Sequence, residues 1–119
     1  MAAGGGRYRG LALRRGDLVT IALQGDYGKP RPALIIQSDL FAEHPSVTIP
    51  PVTGQLRDTP LFRIAIEPTA ESGLQKLSQI MIDKAQTVPR EKVGSAIGRL
   101  NDRTMVAVNQ ALAVFLGFA

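Results

Sequence analysis

Apolar and polar residues alternate in short runs along most of this chain, and only its last stretch changes period. After Gly16-Asp17, Val19, Ile21 and Leu23 share one face at period two and Leu18, Thr20 and Ala22 the other, the signature of a strand. Pro32 to Gln37 is the second strand, its apolar run Ala33 to Ile36 of the length and β-branched content of a buried strand. Val47 to Thr53 makes a third strand, and its Pro50-Pro51 pair confines it to an edge or ends it early. Phe62, Ile64 and Ile66 alternate with Arg63, Ala65 and Glu67, the clearest half-buried strand in the chain. Leu77 to Asp83 forms the next strand, with Ile80 and Ile82 on one face and Asp83 at its end. Lys84 to Val88 and Ala96 to Leu100 are short strands on either side of one helical turn at Pro89 to Lys92. Beyond Asn101, a good N-cap, Met105, Val108, Leu112 and Phe115 recur at helical spacing. A helix over 102–116 follows, closed by Gly117.

The predicted fold is therefore mainly β with a C-terminal helix: a small, strongly bent antiparallel sheet or barrel. Its loops carry the turn residues. Gln24 to Pro30 and Gly54 to Pro60 are polar, Leu40 to Pro45 is an excursion carrying His44, and Glu71 to Leu74 turns at Gly73. The 119 residues suffice for one domain with one modest core, and no repeat or second domain is visible. We divide the chain into a flexible basic arm, 1–14, and a single domain, 15–119.

Composition narrows the chemistry. The chain has no cysteine, which removes disulfides, thiolate metal sites and cysteine nucleophiles and fits a cytoplasmic protein. One histidine, His44, argues against histidine-based metal sites and two-histidine nucleases, and it reads as a surface loop residue. No metal or cofactor is expected. Leu11-Ala12-Leu13 is too short for a signal-peptide core, and no apolar run approaches membrane-spanning length. The net charge of +4 is misleading as a sign of nucleic-acid binding. Four of the fourteen basic residues precede Gly16 and none of the ten acidic ones does, so the remainder balances at ten each.

One stretch carries a sharper signal: Gly28-Lys29-Pro30-Arg31-Pro32-Ala33-Leu34-Ile35-Ile36-Gln37-Ser38-Asp39. Pro30 and Pro32 fix their own φ, and the residue before a proline is pushed into an extended conformation. Arg31 thus stands on stiff backbone at the mouth of a strand. It is either a surface arginine beside a turn or a guanidinium fork held for phosphate.

This stretch, with Arg15-Gly16-Asp17-Leu18-Val19 before it, resembles the opening of the MazF/PemK/Kid toxin family, the small endoribonucleases of bacterial toxin–antitoxin pairs. The resemblance runs from about Arg15 to about Leu116 and implies an SH3-like barrel of the CcdB/PemK toxin type. It implies metal-independent cleavage of single-stranded mRNA at short specific sequences, a homodimer, and neutralisation by an acidic antitoxin. By family position the catalytic candidates are Arg31, Thr53 and Asp83. Arg31 would stabilise charge on the phosphorane, Thr53 would hold a phosphate oxygen or the arginine, and Asp83 would be the general base. The same resemblance implies an RNA track over Tyr27, Gly28, Lys29, Gln55, Arg57, Lys84 and Gln86.

Each assignment has a plainer counterpart. Thr53 before Gly54 also suits a turn, Asp83 also suits a strand end bonding the backbone, and Tyr27 either stacks on a base or packs its ring on the barrel. Met81 stands where Kid-like members have an arginine, and Gln86 where Arg or Lys is usual, which makes the groove less positive. Two other functions remain open on the sequence. One is a CcdB-like gyrase poison; the chain ends Phe115-Leu116-Gly117-Phe118-Ala119 and lacks the Trp-Gly-Ile tail of that family. The other is an inactive barrel that only binds a partner.

Overall fold

The computed structural model describes residues 13–22 and 29–119. Within them lie eight strands and one helix: β1 (Asp17–Ile21), β2 (Arg31–Leu34), β3 (Ser46–Ile49), β4 (Val52–Thr53), β5 (Arg63–Ile66), β6 (Ser78–Met81), β7 (Gln86–Pro89), β8 (Val93–Arg99) and α1 (Asp102–Leu116). Short 3₁₀ turns occupy Asp39–Phe41, Ile82–Lys84 and Arg90–Lys92. The strands make three antiparallel sheets, ordered β2-β1-β8, β3-β7 and β4-β6-β5. This is the bent antiparallel architecture with a C-terminal helix expected from the pattern.

β1 is central because both of its faces are apolar. Leu18 enters a core with Leu34, Ile66, Ile80, Ile82 and Val108, against α1. Val19 and Ile21 enter a second core with Ala33, Ile35, Val47, Ile49 and Val88. β1 pairs with β2 in the register Leu18↔Leu34 to Ile21↔Arg31. Its other edge pairs with β8, where two register shifts bend the sheet. Leu13 packs against the second core, so the folded body begins before Arg15.

The expected second strand is shorter in its ladder. Past Leu34 the backbone changes partners: Ile35 N–H donates to the Asp17 carbonyl at 2.9 Å and Ile36 N–H to Thr48 at 3.3 Å. The third is divided, as its prolines require. Pro50 and Pro51 separate β3 from β4, and the Pro50 carbonyl accepts from Leu34 N–H at 3.1 Å. One chain segment thereby passes from the second sheet to the third while still tied to β2.

The expected strand Leu77 to Asp83 ends at Met81. Ile82 is fully buried, its N–H donates to Phe62 at 2.9 Å, and Ala85 N–H closes the turn on Ile82 at 3.2 Å. Asp83 consequently sits in a 3₁₀ turn and not on a strand end. The last strand is longer than expected, Val93–Arg99, because pairing with β1 overrides the weak β-propensity of Gly94, Ser95 and Gly98.

The helix matches its sequence signals. The Asn101 side chain accepts from Thr104 N–H at 2.8 Å, and Gly117 ends the helix at φ 87°. Val108 and Ala111 are buried, with Met105 and Leu112 packed beside them. Phe115 shares their spacing but is half exposed, as are Val114 and Leu116, and Phe118 is 82% exposed. The end of α1 therefore presents apolar surface that this chain's own core does not cover. Among the described residues no helix is long and apolar enough to cross a membrane.

Candidate active groove

A groove of about 890 Å³ runs between the end of β1, the start of β2, the end of β4 and the loop before β6. Arg31 opens β2 opposite Ile21, exposed, with Pro30 and Pro32 flanking it in the same groove wall. Thr53 ends β4 opposite Gln79. The Thr53 Oγ1 accepts from Gln55 N–H at 3.0 Å, a local turn that fixes the side chain and leaves its own O–H to donate. Arg31, Thr53 and Gln55 all line the groove. They come from separate parts of the sequence, and the ties between β2 and the Pro50-Pro51 junction bring them to one place.

The turn after Thr53 is clamped from the outside. The Gln79 amide meets both ends of the Arg57 peptide: its Oε1 accepts from Arg57 N–H at 3.0 Å and its Nε2 donates to the Arg57 carbonyl at 2.9 Å. Arg63 donates to the same Oε1 at 3.0 Å and to the Gln55 carbonyl at 2.8 Å. Arg63 is the cross-strand partner of Met81. Its guanidinium is thus committed to the loop behind Thr53.

The opposite wall is the loop Gly73 to Lys76, with Ser78, Met81 and Ile97. Gly73 has φ 73° and its Cα faces the Ile97 carbonyl so closely that any side chain would overlap it. Buried Ser72 holds the loop from beneath, its Oγ donating to the Glu67 carbonyl at 2.9 Å and accepting from Thr69 N–H at 3.1 Å.

The remaining sequence candidates lie elsewhere. Asp83 is off the groove, half-buried in its turn, with Oδ1 buried and without a hydrogen-bond partner. Lys84 and Gln86 are exposed beyond it, and Arg57 is bound to Gln79 outside the wall. Lys29 is exposed next to Pro30 but is not part of the wall. Tyr27 and Gly28 lie outside the described residues. Lys76 and Ser78 line the groove although the sequence did not single them out. Their signal was the polar run after Gly73-Leu74, but only the β4–β6 pairing shows that this run faces Thr53. Among the described residues no three His, Asp or Glu side chains gather as metal ligands. The wall itself offers cations, hydroxyls and amides, with no carboxylate or imidazole among its described residues.

Residues 14–116 match the family described as "PemK-like, MazF-like toxin of type II toxin-antitoxin system". The chain belongs to this toxin family. A probable endoribonuclease MazF of Mycolicibacterium smegmatis is 52% identical over 108 residues, 90% of this chain and 99% of that protein. The endoribonuclease MazF of Staphylococcus saprophyticus is 30% identical over 111 residues, 88% and 92% of the two chains. Among solved structures, an endoribonuclease in complex with its cognate antitoxin from mycobacterial species superposes with a TM-score of 0.77 at 25% identity, covering 91% of this chain and 98% of that one. MazF in a MazE–MazF complex from Deinococcus radiodurans shares the fold, with a TM-score of 0.74 at 19% identity over 90% and 98%. The named MazF relatives are endoribonucleases, which favours that branch of the toxins over the gyrase poisons.

Proposed function

We propose that this groove cleaves single-stranded mRNA at short specific sequences and without a metal, and that the protein is thereby the growth-inhibiting toxin of a toxin–antitoxin pair in the cytoplasm. The observation that carries this reading is the convergence of Arg31, Thr53 and Gln55 on one groove from the start of β2 and the end of β4. Single-stranded RNA suits the groove because unstacked bases expose the edges by which a short sequence is read.

In the proposed reaction the 2′-oxygen attacks phosphorus and the bond to the 5′-oxygen breaks. The 2′-proton goes to a base and the leaving 5′-oxygen takes a proton. The products are a 2′,3′-cyclic phosphate and a 5′-hydroxyl. Arg31 meets the charge that builds on the non-bridging oxygens, with a planar fork already in place. Thr53, its oxygen engaged by Gln55 N–H, directs its O–H at the phosphate. A role for Asp83 as base would require the RNA to leave the groove over the Ile82–Lys84 turn. Its position at that turn makes Arg31 and Thr53 the firmer assignments.

The same reading includes a two-fold homodimer and an acidic, partly disordered antitoxin segment whose carboxylates compete with RNA phosphates for Arg31. The apolar end of α1 supports an interface, since a symmetric contact covers the same patch twice. The decisive assay is cleavage of a mixed single-stranded RNA in EDTA. Products ending in a cyclic phosphate are expected, and gyrase inhibition with intact RNA is the result that defeats the proposal. Sedimentation should give twice the 12.8 kDa chain mass.

A further inference from the structure

Gly54 follows Thr53 directly, and its φ is not in the left-handed region. Backbone conformation therefore does not require glycine there. The space a side chain would fill is taken instead by the end of a lysine from the other wall. A Cβ built on Gly54 would overlap the Cε of Lys76 and stand 2.7 Å from its Nζ. The end of the Lys76 side chain thus lies against Gly54, next to Thr53, in the groove wall. Lys76 is exposed, so its ammonium stays open to the groove while its end rests against Gly54. Among the described residues its ammonium pairs with no carboxylate. It belongs to the same groove as Arg31 and Thr53.

An ammonium held at that spot, its charge uncancelled, suits an anion lying beside Thr53. We infer that Lys76, seated in the notch that Gly54 leaves, is an RNA-backbone contact of the groove and binds a phosphate beside the one at Arg31. The inference deepens the ribonuclease reading and rests on it. Lysine acts here as a point charge with rotatable donors, complementary to the planar fork of Arg31. The two cations engage consecutive positions of one strand. They restore in this groove positive charge that Met81 and Gln86 do not provide.

The test is the salt dependence of binding. Wild type, Lys76→Met, Lys76→Arg and Gly54→Ala are titrated with a fluorescent, non-cleavable pool of 2′-O-methyl RNA 13-mers of random sequence, across a range of potassium chloride. Each phosphate contact to a single strand contributes about 0.7 to the slope of log K against log salt. Lys76→Met should lower the slope by about 0.7, and Lys76→Arg should keep it. Gly54→Ala should displace the end of Lys76 and lower the slope by less than Lys76→Met, while adding it to Lys76→Met lowers the slope no further. A shared melting temperature shows that each variant is folded. An unchanged slope in folded Lys76→Met, with wild type still binding and cleaving RNA, overturns the assignment of Lys76 alone. A wild type that neither binds the pool nor cleaves RNA overturns the groove reading and Lys76 with it.

Discussion

The two ends of β6 treat their polar residues in opposite ways. At its start, exposed Lys76 faces an open groove that also holds Arg31 and Thr53, and buried Ser78 ties its hydroxyl to the Lys76 carbonyl. Beyond its other end, Asp83 lies in a tight turn below α1, with one carboxylate oxygen buried and unpartnered. The groove end is built from backbone anchors. Thr53 is fixed by Gln55, the next loop by Gln79 and Arg63, and the facing loop by Ser72. The Asp83 end is built from apolar packing, with Ile82 in the core. Reactive groups held on anchored backbone around an open cleft can meet a ligand without rearranging, whereas a group tucked against a core meets mainly protein. The difference teaches that a family position and a shared site are separate findings, joined only by the fold.

The sharpest way to break this comparison is Arg31→Ala. Loss of a preorganised donor should lower RNA cleavage by roughly 10²–10³ with the fold intact. Cleavage near the wild-type rate by a folded Arg31→Ala protein would remove the groove from the reaction. Arg31→Lys should remain poor, since a point charge does not reproduce the fork.

Next in size are Thr53 and Gln79. Thr53→Ala should lose roughly tenfold in rate, the worth of one hydrogen bond of about 1.4 kcal/mol, and Thr53→Ser should recover most of it. Equal rates for the two variants would make Thr53 a turn residue only. Gln79→Ala removes a side chain that touches no substrate in the proposed reaction but clamps the Arg57 peptide. It should cost about 1–3 kcal/mol of stability in denaturant titration, because two backbone groups and Arg63 lose a partner together. Its effect on cleavage should be on kcat and should persist when the folded fraction is held equal.

The smallest expected effect sharpens the contrast from the other side. Asp83→Asn should leave the rate within about threefold, where loss of a true general base would take roughly 10²–10⁴. A drop of that larger size, with disappearance of the acidic limb of the pH–rate profile, would show the RNA running over the Ile82–Lys84 turn.

Much of this was legible in the residues. Asn101 and Gly117 bracket α1 through local capping chemistry, and the Pro50-Pro51 break between β3 and β4 follows from missing donors. Arg31 was marked by its prolines before any contact was known. The 3₁₀ turn at Asp83 was not legible, since Ile82 continues the period-two pattern and still pairs with Phe62, and the strand ends only where Ala85 N–H folds back on the Ile82 carbonyl. Nor was Lys76, because its proximity to Gly54 depends on β4 lying antiparallel to β6, a pairing that no local spacing announces. Local chemistry could be read one element at a time, and what escaped was set by contacts between residues distant in the chain.

The placement of β1 has a consequence for synthesis. Asp17 pairs with Arg99 and Ile21 with Val93, so the central strand waits for β8 before it has its second neighbour. The groove spans the same interval, from Thr20 to Ile97. Until β8 has emerged and paired, the nascent chain lacks part of one groove wall, and contacts of such long sequence separation form late and slowly. The groove therefore closes only once β8 is available to β1.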